Sequence, residues 1–176
     1  MFIRSERLFL RPCWPEDRAT LALLGGAETV PPDPVAEVLG SEEPKDRRSA
    51  RLLVTLPGSG IIGAASLLST SDCGHLWLWI APSWRSRGFA TEAAEALAEV
   101  ARMLGHDQLE ALVYLDNCSA IRLLGSTDFA AGRRVTGHRR LKDARGFPST
   151  WFHTDLSGTG GGDGDGTGGG ADTLAA

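Results

Sequence analysis

Arg85, Arg87, Gly88 and Ala90 fall within one short run, and their types suit the binding of an anion. The two guanidinium groups carry full positive charge, while Gly88 and the small Ala90 let a ligand approach the backbone. Helical periodicity begins directly after them. The free N–H groups of a helix start and the positive end of its dipole would therefore face the same ligand. A pyrophosphate is the natural occupant. An ordinary strand–helix connection with two solvated arginines accounts for the loop alone equally well.

The flanking elements would hold that loop in place. His75 to Ala81 is β-rich, and Pro82, with no N–H to donate, ends the ladder or sits where the strand leaves its neighbour. From Ala90 the period becomes helical. Ala93, Leu97, Val100, Ala101 and Leu104 share one face, and Glu92, Glu95, Glu99 and Arg102 the opposite one. Gly105 follows at the position of a C-cap.

The run Trp79-Ile80-Ala81-Pro82, then Arg85-x-x-Gly88-x-Ala90-Thr91-Glu92-Ala93, resembles the acetyl-CoA signature of the GNAT N-acetyltransferases. The opening Ser5-Glu6-Arg7-Leu8-Phe9-Leu10-Arg11-Pro12, with Trp14-Pro15-Glu16-Asp17, is similar to the ribosomal-protein N-terminal acetyltransferase (RimJ/RimL) branch of that family. Asp116-Asn117, Phe129 and the turn Lys142-Asp143-Ala144-Arg145-Gly146 extend the likeness over roughly residues 5–156. Three motifs in order are far more specific than any one of them.

The resemblance implies an α/β fold: a mixed, largely antiparallel seven-stranded sheet with helices on both faces and a cleft where two strands splay apart. It implies direct acetyl transfer from acetyl-CoA to a primary amine, chemistry that rests on positioning two substrates and stabilising an oxyanion. Trp79, Ile80 and Ala81 would offer backbone groups to pantetheine. Arg85, Arg87, Gly88, Phe89 and Ala90 would hold the pyrophosphate, and Asn117 would contact the CoA arm or cap a helix after Asp116.

The sequence departs from the family where protons move. Leu124 stands where some members carry an acidic Tyr, and Ala120 where the ribosomal branch has Ser, leaving Ser119 as the neighbouring hydroxyl and Cys118 beside it. His75 occupies the place of the family's basic Glu. Its pKa range suits proton transfer, although a histidine at a strand start also serves structural roles. An α-amine, with a pKa of about 7.7–8.0, needs less help than lysine at about 10.4. So sparsely equipped a site suits protein N-termini or small amines better than lysines. The alternatives are a non-catalytic acyl-CoA-binding module or an RNA- or ribosome-associated protein.

Composition bounds these readings. A chain of 176 residues holds one domain with a real core. Residues 1–156 are expected to form it, and 157–176, rich in Gly and Asp, to be a disordered tail. No apolar run approaches membrane-spanning length, and Arg4 and Glu6 follow Met1 without a signal-peptide core, so a cytoplasmic location is expected. The net charge of −4 gives no general case for nucleic acid. The local exception is the basic segment Arg133, Arg134, His138, Arg139, Arg140, Lys142 and Arg145, either a solvated face or an electropositive patch. Cys13, Cys73 and Cys118 are widely spaced and show no metal-ligand pattern, so reduced thiols and no metal are expected. Oligomeric state is open, since Trp14 and Trp151 suit a core or an interface.

Elsewhere, Arg7 to Arg11 reads as a first strand, and Pro15 to Leu24 as a helix stopping near Gly25-Gly26. Residues 27–49 are proline-rich and poorly patterned. Arg51 to Leu56 and Ile61 to Leu68 form a hairpin across Pro57-Gly58-Ser59-Gly60. Leu109 to Leu115 is a buried strand, Asn117 to Gly125 a short helix, and Asp128 to Val135 and Ser149 to Asp155 the last strands.

Overall fold

The computed structural model describes residues 1–25, 46–70, 73–127, 129–136 and 148–156. In chain order these form β1 (Ile3–Arg4), β2 (Phe9–Pro12), α1 (Asp17–Gly25), β3 (Ala50–Leu56), β4 (Gly60–Thr70) and β5 (Cys73–Ile80). A 3-10 turn at Pro82–Trp84 leads into α2 (Phe89–Met103). Then come β6 (Gln108–Tyr114), α3 (Cys118–Gly125), β7 (Ala130–Thr136) and β8 (Pro148–Asp155).

The strands make one sheet in the order β1-β2-β3-β4-β5-β6-β8-β7. Every pairing is antiparallel except β5 with β6, which α2 connects as a crossover. The mixed, mainly antiparallel α/β architecture expected from the sequence is therefore present. The count differs by one strand. The two-residue β1 pairs Ile3 with Leu10 and Arg4 with Phe9, too short a segment to leave a periodic signal.

Alternation along the strands sends side chains to two cores. On one face Leu10, Val54, Ile62, Leu67, Ile80 and Leu109 pack with Phe89, Ala93, Leu97, Val100 and Ala101 of α2 and Leu124 of α3. On the other face Leu53, Ala64 and Trp79 pack with Leu21 of α1, and Leu24 and Trp77 lie against them. Helices thus cover both faces. Leu23 of α1 is 82% exposed, because the stripe that faces the sheet is that of Leu21 and Leu24.

No helix among the described residues is long and apolar enough to cross a membrane. The proline-rich segment 26–45, most of the basic segment including 137–147, and the Gly/Asp-rich tail 157–176 lie outside the described residues, as do the side chains of β7.

Candidate active site

β5 and β6 pair over only half their length. The register runs Cys73↔Gln108, Gly74↔Leu109, His75↔Glu110 and Leu76↔Ala111, and there it ends. Beyond it, β5 stays on β4 through Ser66↔Trp77 to Gly63↔Ile80, while β6 stays on β8 as far as Tyr114↔Ser149. A wedge therefore opens between Trp77–Ile80 and Leu112–Tyr114.

Which backbone groups line this wedge follows from the ladder. The Ala81 N–H donates to the Ile62 carbonyl at 2.9 Å, which fixes the phase of β5 against β4. By alternation Trp77 and Trp79 also point their N–H and C=O groups at β4, whereas Leu78 and Ile80 point theirs into the wedge. This corrects the sequence expectation: of Trp79, Ile80 and Ala81, only Ile80 turns its backbone to the opening. Leu78 is the residue the sequence reading missed, because the phase of a two-sided apolar strand is set by its partner. The Ile80 carbonyl already accepts from Arg85 Nε at 2.9 Å, which ties the loop to the strand end.

The loop Arg85 to Gly88 is exposed and runs directly into α2. Ser86 has φ 60° and Gly88 φ 80°, so two residues of four lie in the left-handed region. For Ser86 this conformation carries strain, of the kind concentrated at ligand-holding turns. Gly88 is the N-cap of α2 and no side chain caps the helix. The first intrahelical bond runs from the Glu92 N–H to the Gly88 carbonyl at 3.1 Å, leaving the N–H groups of Phe89, Ala90 and Thr91 for another partner. A Cβ on Gly88 would lie 3.3 Å from Arg7 Nη2 and would be strained at that φ. The residues present thus form a cradle of N–H groups suited to a phosphate. The Arg87 guanidinium lies 5.1 Å from the centre of the Trp84 ring.

Glu92 is not on a solvated face as its spacing suggested. Its side chain is 11% exposed. Oε1 accepts from Ser5 Oγ (2.6 Å), Arg7 N (2.6 Å) and Leu8 N (3.1 Å), and Oε2 from Arg7 Nε (2.7 Å). Burial works to raise its pKa, but the bonds from Ser5 and Arg7 outweigh it and hold the carboxylate below its ordinary range. Arg7 also donates from Nη1 to the Arg87 carbonyl (3.1 Å) and covers the Phe89 ring at 4.7 Å. The Ser5-x-Arg7-Leu8 motif is thus a clamp on the anion loop.

Of the proton-transfer candidates, His75 sits on the α1 face of β5, just before the wedge. Its Nδ1 lies 3.6 Å from Glu110 Oε2, and its ring tilts against Trp151 with centroids 5.5 Å apart. The Cys73 thiol is beside them, its pKa pushed up to about 11 by burial and then by the charge of Glu110. Asn117 caps α3, accepting from Ala120 N at 3.1 Å, and its side chain is exposed. Ser119 is an exposed residue in the first turn of α3. All three cysteines are free thiols.

Comparison with known proteins agrees with this geometry. The family model described as "Acetyltransferase (GNAT) domain" matches residues 7–130. No curated protein sequence matches. Among solved structures, an acetyltransferase (GNAT family) from Bacillus anthracis superposes with a TM-score of 0.70 at 15% identity, over 89% of this chain and 99% of that one. Spermidine N-acetyltransferase from Vibrio cholerae, solved with CoA and spermine, gives a TM-score of 0.70 at 17% identity, over 87% of this chain and 98% of that one. At such identities the structures speak for the fold, and the family match for descent. The chain belongs to the GNAT acetyltransferases and is an acyltransferase.

Proposed function

We propose that the protein transfers an acetyl group from acetyl-CoA to a primary amine, either a protein N-terminal α-amine or a small-molecule amine. The observation that carries this reading is the wedge at Leu76↔Ala111 beside the uncapped start of α2. Leu78 N–H and C=O and Ile80 N–H supply strand-like partners for the amides of pantetheine. The N–H groups of Phe89, Ala90 and Thr91, with the charges of Arg85 and Arg87, receive the pyrophosphate. Asn117 caps α3 and presents its amide to the CoA arm.

The chemistry needs a neutral amine, a polarised thioester and a proton for the leaving sulfur. The amine nitrogen bonds to the thioester carbon, the C–S bond breaks, and the amine proton leaves to a base. His75 fills that role. Glu110 Oε2, 3.6 Å from Nδ1, is a charge partner for the imidazolium that forms. Water or the Ser119 hydroxyl returns the proton to the thiolate. Among the described residues the site offers no base stronger than an imidazole or a carboxylate, which favours α-amines and small amines over lysine.

The test is isothermal titration with acetyl-CoA beside an Arg87→Glu, Gly88→Asp double variant, followed by an amine panel. Micromolar binding abolished in the variant, with turnover on N-terminal peptides or small amines, is the expected result. A well-folded protein that does not bind acetyl-CoA, or one that strongly prefers lysine side chains, overturns this reading. Placement in the ribosomal-protein branch rests on Ser5 to Pro12, and acetylation of ribosomal N-terminal peptides within that panel decides it.

A further inference from the structure

We propose that Cys73, His75 and Glu110 form a site for a dication of the zinc class, and that an ion there withholds the His75 imidazole from acetyl transfer. The second half rests on the role of His75 given above; the first does not. One donor atom from each residue lies within 4.8 Å of the other two. Glu110, distant in sequence from the other two, joins them because β5 and β6 pair in parallel with His75 opposite Glu110 and Cys73 opposite Gln108. Cys73 and His75, two residues apart on one strand, share a face.

The strand between them is firmly seated. A Cβ on Gly74 would come within 2.8 Å of Leu67 Cδ1 and 3.3 Å of Leu109 Cδ1, so the intervening residue packs tightly on the opposite core. The two ligands on β5 thus stand on fixed backbone.

The donor set points to the metal. Thiolate, imidazole and carboxylate together suit zinc, whereas magnesium and calcium take oxygen. Tetrahedral zinc with ordinary bond lengths brings its donors to roughly 3.3–3.7 Å of one another. His75 Nδ1 and Glu110 Oε2 are already 3.6 Å apart, so only a small side-chain closure is needed. The side chains of His75 and Glu110 are 25% and 32% exposed, which lets an ion enter and leaves a fourth position for water. As the metal–sulfur bond forms, the thiol proton passes to solvent. With Nδ1 on the ion, the remaining ring proton sits on Nε2, and the imidazole has no lone pair left to take the amine proton.

The experiment titrates the reduced, full-length protein with cobalt(II), then zinc. One equivalent of cobalt is expected to give a thiolate-to-cobalt charge-transfer band and four-coordinate visible bands, bleached by zinc. Cys73→Ser should abolish the charge-transfer band. His75→Ala and Glu110→Gln should each weaken binding by more than about 100-fold, beyond the loss from removing a group that only hydrogen-bonds a ligand. A Cys13→Ser, Cys118→Ser variant should keep the spectrum, and circular dichroism checks that each variant is folded. No charge-transfer band, or one that persists in Cys73→Ser, overturns the site. Acetyl transfer measured with and without zinc tests the second half. Chelator-reversible inhibition, absent in Cys73→Ser, supports it, and zinc binding without inhibition overturns it. A protein inactive on every amine refutes the acetylation reading while the cobalt spectrum still decides the metal site.

Discussion

Arg7 and Glu92, 85 residues apart in sequence, meet through two bonds: Arg7 N to Oε1 at 2.6 Å and Arg7 Nε to Oε2 at 2.7 Å. This pair joins the start of the chain to the first turn of α2, and the same guanidinium reaches the Arg87 carbonyl and the Phe89 ring. No lysine reproduces that set, since an ammonium lacks the planar fork. Arg7→Lys is therefore expected to weaken acetyl-CoA binding by several-fold in titration calorimetry while the fold persists. Glu92→Ala also strips Ser5 and Leu8 of an acceptor. It should cost about 2–3 kcal/mol in urea unfolding, the range for hydrogen bonds to a charged group discounted for the exposure of Arg7.

The same carboxylate sets an acid limit. Glu92 and Asp17 both have folded pKa values below their ordinary 4.5 and 3.8. For Asp17 the cause is the Arg11 side chain, paired at 2.7 Å, opposed by burial and aided by the Trp14 N–H. A depressed folded pKa contributes stability that is present above the unfolded value and lost as pH falls through the folded one. Stability should thus be flat from neutrality to about pH 5 and fall steeply below pH 4.5. Denaturation midpoints across that range check it, and Glu92→Gln should flatten part of the slope.

What the sequence could and could not reveal follows the range of the interactions. The strand His75–Ala81, helix α2 and its glycine loop were legible because their periodicity and caps are local. The capping role of Asn117 was legible for the same reason. The clamp on Glu92 was not, since spacing alone put that residue on a solvated face and its partners sit at the other end of the domain. The wedge backbone of Leu78 and the meeting of Cys73, His75 and Glu110 are consequences of register, which one strand's sequence does not carry.

Asn117 offers a way to separate capping from ligand contact. Its side chain accepts from Ala120 N at 3.1 Å, so Asn117→Ala should cost about 1 kcal/mol. Asn117→Ser keeps an N-cap oxygen but removes the amide. If the amide serves CoA, the Ser variant recovers stability in thermal melts yet binds acetyl-CoA as weakly as Ala. Equal recovery of both would leave Asn117 a cap alone.

Gly88 is the residue on which loop geometry and chemistry converge. Its φ of 80° and the 3.3 Å approach of Arg7 to its missing Cβ together oppose any side chain. Gly88→Ala should cost about 1–2 kcal/mol from the left-handed backbone alone. It should also push the Arg7 guanidinium away, loosening the bond to the Arg87 carbonyl that shapes the cradle. In the proposed pyrophosphate seat the three N–H groups that follow point at one anion, so a small rotation at residue 88 misdirects all of them. The expected signature is a loss of acetyl-CoA affinity of at least about tenfold, which is about 1.4 kcal/mol of binding. Comparison with 3′-dephospho-CoA locates the defect: a similar proportional loss for both ligands places it at the pyrophosphate, whose cradle they share. A loss confined to acetyl-CoA would place it at the 3′-phosphate and separate Gly88 from the pyrophosphate seat.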